Sequence, residues 1–255
     1  MESLKETIAK CQLTLGSWIT LAHPGIAEIM ARAGFDWLAI DLEHSVITIR
    51  EAEDLIRVIA LSGVCPLVRL SANDSVQIKR VMDAGAHGII VPLVNSASDA
   101  VHAVNGVRYP PKGMRGVGLA RAQGYGSAFE SYLEWVREES VVVVQIEHIE
   151  AVNNLESILS VDGVDGFIVG PYDLSGSLRI PGQFGHPSMI DAMGRIRSIG
   201  IDSGRALGIH VIEPDTEELR QRVDEGFNFI AYSLDIRMLD RACRLGLDAI
   251  RGELR

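Results

Sequence analysis

The residues best placed to do chemistry stand at the ends of apolar runs. VVVVQIEHIE, residues 141–150, opens with four valines and ends by delivering Gln145 and Glu147. So branched and apolar a run reads as a strand buried on both faces. GFIVGPYDLS, residues 166–175, repeats the design: an apolar run, a break at Gly170-Pro171, then Asp173. Carboxylates at the carboxyl ends of successive parallel strands converge on one rim of a sheet or barrel. Buried like charges are costly unless a cation lies between them, so Glu147 and Asp173 are candidate ligands of a divalent metal. Oxygen ligands favour Mg²⁺, Mn²⁺ or a similar hard ion that keeps water or substrate oxygens in its shell. WLAIDLEH (37–44) ends in Asp41, Glu43 and His44, and PLVRL (66–70) carries Arg69. Beside a metal, Arg69 can neutralise a negative oxygen as it develops while His44 moves a proton. That constellation suits a small oxyacid.

Each residue has a plainer rival role. A strand-end carboxylate can cap the following helix, Glu43 reads as a structural hydrogen-bond partner, and Arg69 can pair with Asp41 or Glu43 for stability alone. His44 taken alone reads as structural. His148 should point away from Glu147, and His23, His87, His102, His186 and His210 read as structural or solvated. Lys5, Lys10, Lys79 and Lys112 are the only lysines, and none falls at a predicted strand end. A Schiff base needs a desolvated lysine in the pocket, so carbonyl chemistry here should rely on metal. No Walker loop and no GxGxxG after a strand support a nucleotide.

The elements that must position these groups alternate along the chain. Strands are expected over 13–21, 37–44, 66–70, 88–94, 141–147, 166–170, 206–212 and 228–234. Helices are expected over 24–34, 48–63, 74–85 and 96–110, with one more after each later strand. Eight such units in 255 residues predict an α/β protein built as a single (β/α)8 barrel domain over 1–255. Residues 110–128 break the rhythm with five glycines and no period. A connector so long should be functional, reaching the active-site rim or a neighbouring subunit. Arg121 in it is a candidate for binding a carboxylate at the far end of a substrate.

A net charge of −10 argues against nucleic acid or an anionic membrane as partner. No apolar run approaches 18 residues and the first residues lack a signal-peptide core, so a soluble, cytoplasmic protein is expected. Cys11, Cys65 and Cys243 are odd in number and unpatterned, as reduced thiols are.

The segments GFDWLAIDLEH, PLVRL, KRVMDAGAHGIIVPLV, RYPPKGMRGVG, VVVVQIE and VDGVDGFIVGPYDLS together resemble the HpcH/HpaI family of metal-dependent, pyruvate-type aldolases, in order across roughly 13–235. The resemblance implies a (β/α)8 barrel assembled as a hexamer, a trimer of swapped dimers. It implies cleavage of 4-hydroxy-2-oxo acids to pyruvate and an aldehyde, with Mg²⁺, Mn²⁺ or Co²⁺. By position it makes Glu147 and Asp173 the metal ligands and His44 the general base. Asp83 becomes the acidic residue that raises the basicity of that histidine, and Arg69 stabilises the pyruvate enolate. Gln145 and the backbone amides near Tyr172 and Asp173 hold the pyruvate half. Asp83 follows from the resemblance alone; by its spacing it reads as a helix-surface residue. Tyr172 stands where some members carry a small residue and Leu42 replaces a glycine, which bears on the aldehyde partner. Oxaloacetate decarboxylation or a Michael-type synthesis would use the same enolate, and a non-catalytic oxyacid-binding barrel is the reading from outside enzymology.

Overall fold

A computed structural model describes residues 2–253. Eight parallel strands close on themselves in sequence order: β1 (Thr14–Ile19), β2 (Trp37–Asp41), β3 (Cys65–Arg69), β4 (Gly88–Val91), β5 (Val141–Ile146), β6 (Gly166–Val169), β7 (Ala206–Val211) and β8 (Phe229–Leu234). β8 pairs with β1, which completes the predicted (β/α)8 barrel. Every residue of β2, β4, β5 and β6 is buried, because helices cover the outside and side chains fill the lumen.

The helices are α1 (Leu4–Ala9), α2 (Pro24–Ala31), α3 (Ile49–Leu61), α4 (Ser75–Asp83), α5 (Ala97–Val107), α6 (Phe129–Glu138), α7 (Ile149–Asn153), α8 (Leu155–Leu159), α9 (Pro171–Ser177), α10 (Pro187–Ser203), α11 (Thr216–Asp224) and α12 (Asp235–Glu253). Local chemistry starts several of them. Thr48 and Glu51 form a reciprocal capping box at α3, and Asp74 accepts from the backbone N–H groups of Val76 and Gln77 at α4. His23, His148 and His186 do the same work at α2, α7 and α10, which gives three of the unassigned histidines a structural role.

The lumen is packed in layers. Trp37 stacks on Phe229 with centroids 4.3 Å apart, and Trp18 meets Trp37 edge-on. Gly16 makes this possible: a Cβ there would lie 2.0 Å from the Trp37 ring. Ile8 of α1 closes the amino-terminal end of the barrel, held there by Lys5 on Asp165 at 2.6 Å. That leaves the carboxyl-terminal mouth for chemistry.

Strand β2 ends at Asp41 rather than continuing to residue 44. The Asp41 carboxylate accepts hydrogen bonds from the backbone N–H groups of Glu43 and His44, which turns the chain out of the sheet. The glycine-rich segment is also more structured than expected, with a 3₁₀ turn over Arg121–Gly126 followed by α6, an element that the periodicity did not disclose. It follows α5 at the amino-terminal side of the barrel and packs beneath α4, away from the mouth: Arg121 donates to the carbonyl of Ala84 and Arg115 is bound to Asp83. Finally, α12 stands off the barrel, leaving Leu239, Leu245, Leu247 and Ile250 exposed. Among the described residues no helix is long and apolar enough to cross a membrane.

Candidate active site

Asp41 and Arg69 are register partners on adjacent strands, so both side chains turn into the mouth at one level. Arg69 grips Asp41 with two parallel bonds, Nε to Oδ1 at 2.9 Å and Nη2 to Oδ2 at 2.7 Å. The guanidinium lies 4.4 Å above the Trp18 ring centroid, and its remaining nitrogen, Nη1, is 3.4 Å from Glu43 Oε2. Burial raises the proton affinity of Asp41, but the Arg69 bonds outweigh it and hold the carboxyl below the usual range. Burial pushes the Glu43 carboxyl up; Arg69 opposes that and the nearby charge of Glu147 adds to it.

On the opposite wall Gln145 and Glu147 follow from β5. Glu147 is only 4% exposed. Its Oε1 accepts from the backbone N–H of Leu93 at 2.7 Å, and the side-chain amide of Gln145 donates to Oε2. Leu93 has a left-handed backbone, φ 53°, an unfavourable geometry for leucine that aims its N–H at the carboxylate. Gly170 leaves room for the same group: a Cβ there would come within 3.1 Å of Glu147 Oε2. Asp173 lies in the first turn of α9, exposed at the mouth.

A cavity of about 400 Å³ unites these walls, lined by Trp18, Asp41, His44, Arg69, Gln145, Tyr172, Asp173 and His210 among others. Glu147 lies directly behind two of its lining residues, bonded to Gln145 and packed against Gly170. His44 projects from the turn after β2 with 63% of its side chain exposed, Nε2 3.7 Å from Glu43 Oε2. Six of the seven predicted site residues therefore gather at one mouth.

Asp83 does not. It ends α4 at the amino-terminal side, where Nη2 of the buried Arg115 donates to it at 2.5 Å and Gln123 at 3.2 Å. A helix that follows a barrel strand runs back down the outside, so its last residue cannot reach its own mouth. Arg121 shares that side.

Around the cavity, four carboxylates (Asp41, Glu43, Glu147 and Asp173) face Arg69, while the other lining guanidinium, Arg237, is held by Glu213 and Asp240. Oε2 of Glu43 is buried without a hydrogen-bond donor. That surplus of anionic oxygen fits a bound cation. Among the described residues no three His, Cys, Asp or Glu side chains form a metal cluster by themselves. The donor set therefore fits a hard ion held by two carboxylates, with the rest of its shell open to water or substrate.

The sequence reading missed His210 and Trp18. On β7, Leu207, Ile209 and Val211 face the helices, so alternation turns His210 inward; that signal was present in ALGIHVI. Burial, then the charge of Arg69, drops the imidazole to about 4, so His210 is neutral at physiological pH. Its ring meets Trp18 edge-on at 5.7 Å. Asp235, at the end of β8, was also missed; it accepts from the backbone N–H groups of Thr20 and Leu21, fixing the loop after β1.

Known proteins share this sequence and this fold over nearly their whole length. A hydroxypyruvate/pyruvate aldolase of Sagittula stellata is 37% identical over 243 residues, 93% of each chain. A 4-hydroxy-2-oxo-heptane-1,7-dioate aldolase of Salmonella paratyphi C is 39% identical, covering 96% of this chain and 95% of its own. The crystal structure of an HpcH/HpaI aldolase/citrate lyase family protein from Burkholderia cenocepacia superposes with a TM-score of 0.92 at 36% identity, covering 97% of this chain and 98% of that one. The family model described as HpcH/HpaI aldolase/citrate lyase matches residues 14–242, a span that includes every strand of the barrel and every residue of the mouth. The chain belongs to the HpcH/HpaI aldolase/citrate lyase family.

Proposed function

We propose that this chain is a divalent-metal-dependent pyruvate aldolase, cleaving a 4-hydroxy-2-oxo acid reversibly to pyruvate and an aldehyde. The observation that carries the reading is Arg69, locked by Asp41 and aimed into the same mouth as the Glu147–Asp173 pair. Glu147 and Asp173 would hold Mg²⁺, Mn²⁺ or Co²⁺, which supplies Lewis acidity toward the 2-oxo group. Arg69 offers its charge to the enolate oxygen, pre-oriented by the Asp41 bonds so that nothing need reorganise as charge develops. Gln145 and the first turn of α9 at Tyr172 and Asp173 bracket the pyruvate half. His44 takes the proton of the C4 hydroxyl; the C3–C4 bond breaks, its electron pair passes to the enolate, and protonation at C3 yields pyruvate. Oxaloacetate decarboxylation passes through the same enolate and needs no hydroxyl proton removed.

The working form we propose is a cytoplasmic homo-oligomer, a hexamer arranged as a trimer of dimers. Exposed leucines along α12 and exposed Met114, Val117, Leu119 and Tyr125 in the glycine-rich segment support that reading, since such apolar surfaces mark interfaces. The same assembly gives Asp83 its role: only a second copy can present it to His44. The test is pyruvate release from a panel of 4-hydroxy-2-oxo acids by metal-stripped and Mn²⁺-restored protein. Metal-restored turnover supports the aldolase; substrate binding without turnover under both conditions would leave a non-catalytic oxyacid-binding barrel.

A further inference from the structure

A second cavity adjoins the mouth and is not used by the pyruvate half. It is a cleft of about 500 Å³ between α10 and α11, with β7 as its floor. Pro171, Tyr172, His210 and Ile212 line both spaces, so the cleft opens from the wall that carries Asp173. The lintel between them is the Tyr172–Phe184 pair, edge to face at 4.9 Å. Beyond it the walls are apolar, with Met189 and Met193 of α10 facing Ile209 and Ile212. The helix opposite, α11, buries none of its residues, so it leaves the space open.

The charged groups at the far side are already engaged. Arg222 lies between Glu218 at 3.1 Å and Glu225 at 3.0 Å, Arg197 donates to the carbonyl of Glu225, and Glu213 is held by Arg237 at 2.8 Å. Of the glutamates in the lining, Glu218 and Glu225 share Arg222 and Glu213 has Arg237. An apolar tail gains from such walls, whereas a carboxylate entering them meets three carboxylates and no arginine without an acceptor already bound.

We propose that this cleft is the subsite for the aldehyde half and that it selects alkyl and aryl aldehydes over carboxylate-bearing ones. The proposal rests on the pyruvate-aldolase reading and names its substrate class. A tail attached at C4 leaves the mouth past Tyr172, adjacent in sequence to Asp173, and lies between Phe184 and the two methionines. Tyr172 then forms a wall of the tail's path.

Gly194 supplies the test. It lines the cleft from the interior of α10, and a Cβ on it meets nothing within 4 Å, so Gly194→Trp fills the cleft without clashing at its root and without a helix-propensity cost. The Mg²⁺-loaded full chain would be assayed for pyruvate addition to hexanal, benzaldehyde, glycolaldehyde and succinic semialdehyde, with oxaloacetate decarboxylation as the aldehyde-free control. Wild type should favour hexanal over succinic semialdehyde in kcat/KM. Gly194→Trp should lose about 10-fold or more on hexanal and benzaldehyde, the low end of what one methylene contact discriminates. Glycolaldehyde addition and decarboxylation should hold within about twofold, since neither uses the tail subsite. Met193→Phe provides a second block should the tryptophan variant fold poorly. Equal losses on all aldehydes, no loss on any, or a wild-type preference for succinic semialdehyde would overturn the proposal. So would a change of oligomeric mass in Gly194→Trp, which would assign the cleft to a second copy of the chain. A wild type that decarboxylates oxaloacetate but ignores hexanal refutes the subsite alone; one that neither decarboxylates nor adds any aldehyde removes the aldolase reading as well.

Discussion

Replacing Asp41 by Asn exchanges a charge for an amide at nearly constant volume, and its consequences can be worked from the bonds it makes. Asp41 accepts twice from Arg69 and once each from the N–H groups of Glu43 and His44. An asparagine can orient its carbonyl oxygen toward Oδ1's three donors, but its NH₂ then faces Nη2 of Arg69, donor against donor. Breaking a buried charge pair from one side costs roughly 3–5 kcal/mol. Arg69 retains Glu43 at 3.4 Å and some solvent access, so a loss near the lower end, about 3 kcal/mol, is expected. Urea unfolding of both proteins measures it as a shift in midpoint at unchanged slope. The kinetic effect should be larger than the stability loss suggests, because Arg69 would sit in the mouth without a fixed direction. Loss of a pre-oriented donor to a developing oxyanion lowers kcat by about 10²–10³, and oxaloacetate decarboxylation would report it with KM little changed. A variant with wild-type kcat and an unfolding free energy within about 0.5 kcal/mol of the parent would show that Asp41 does not position Arg69.

Three further outcomes follow from other parts of the molecule. His210 titrates at about 4 in the fold against 6.5 ordinarily, so the unfolded chain binds the proton first as pH falls. Stability should therefore drop by about 3 kcal/mol between pH 6.5 and 4 on this account, and the part of that drop absent from His210→Leu in acid-unfolding curves measures it. His44→Ala should slow retro-aldol cleavage about 10²–10⁴-fold while decarboxylation suffers less; equal losses would make His44 a positioning residue. Arg115 is fully buried, bound to Asp83 and to the Tyr132 hydroxyl, with its guanidinium 4.7 Å from the Tyr109 ring centroid. Arg115→Ala should lower stability by roughly 3–5 kcal/mol in thermal or urea unfolding, and a near-neutral result would mean the network contributes little.

The barrel was legible because burial on both strand faces writes itself as unbroken runs such as VVVV and GIIV, and strand ends mark the mouth. Glu147, Asp173, His44 and Arg69 were readable for the same reason: polar residues directly after such runs fall on one rim. Asp41 as the clamp on Arg69 was only one of two options, since spacing gives no register between strands; the Asp41–Arg69 pairing supplies it. The early end of β2 was hidden because its cause is a side-chain acceptor competing with the sheet for backbone N–H groups. Leu93 could not be found at all, as nothing in a leucine's identity announces a left-handed backbone. His210 was available from alternation and was lost by judging each histidine on its companions in sequence. Asp83 entered through family resemblance alone; it lies on the far side of the barrel, bound by Arg115 and Gln123, where the rule of polar residues at strand ends does not reach.

In the proposed reaction Glu147 and Asp173 hold a divalent ion that works with Arg69 to stabilise a pyruvate enolate. Exchange of the C3 hydrogens of pyruvate in D₂O, followed by mass spectrometry, tests it without any choice of aldehyde. Wild-type protein with Mg²⁺ should exchange; EDTA-treated protein should not until the ion is restored; Glu147→Gln should remain silent at the same ion concentration while unfolding as cooperatively as the parent. Exchange that persists in EDTA-treated protein and in Glu147→Gln would refute a metal-stabilised enolate at this site.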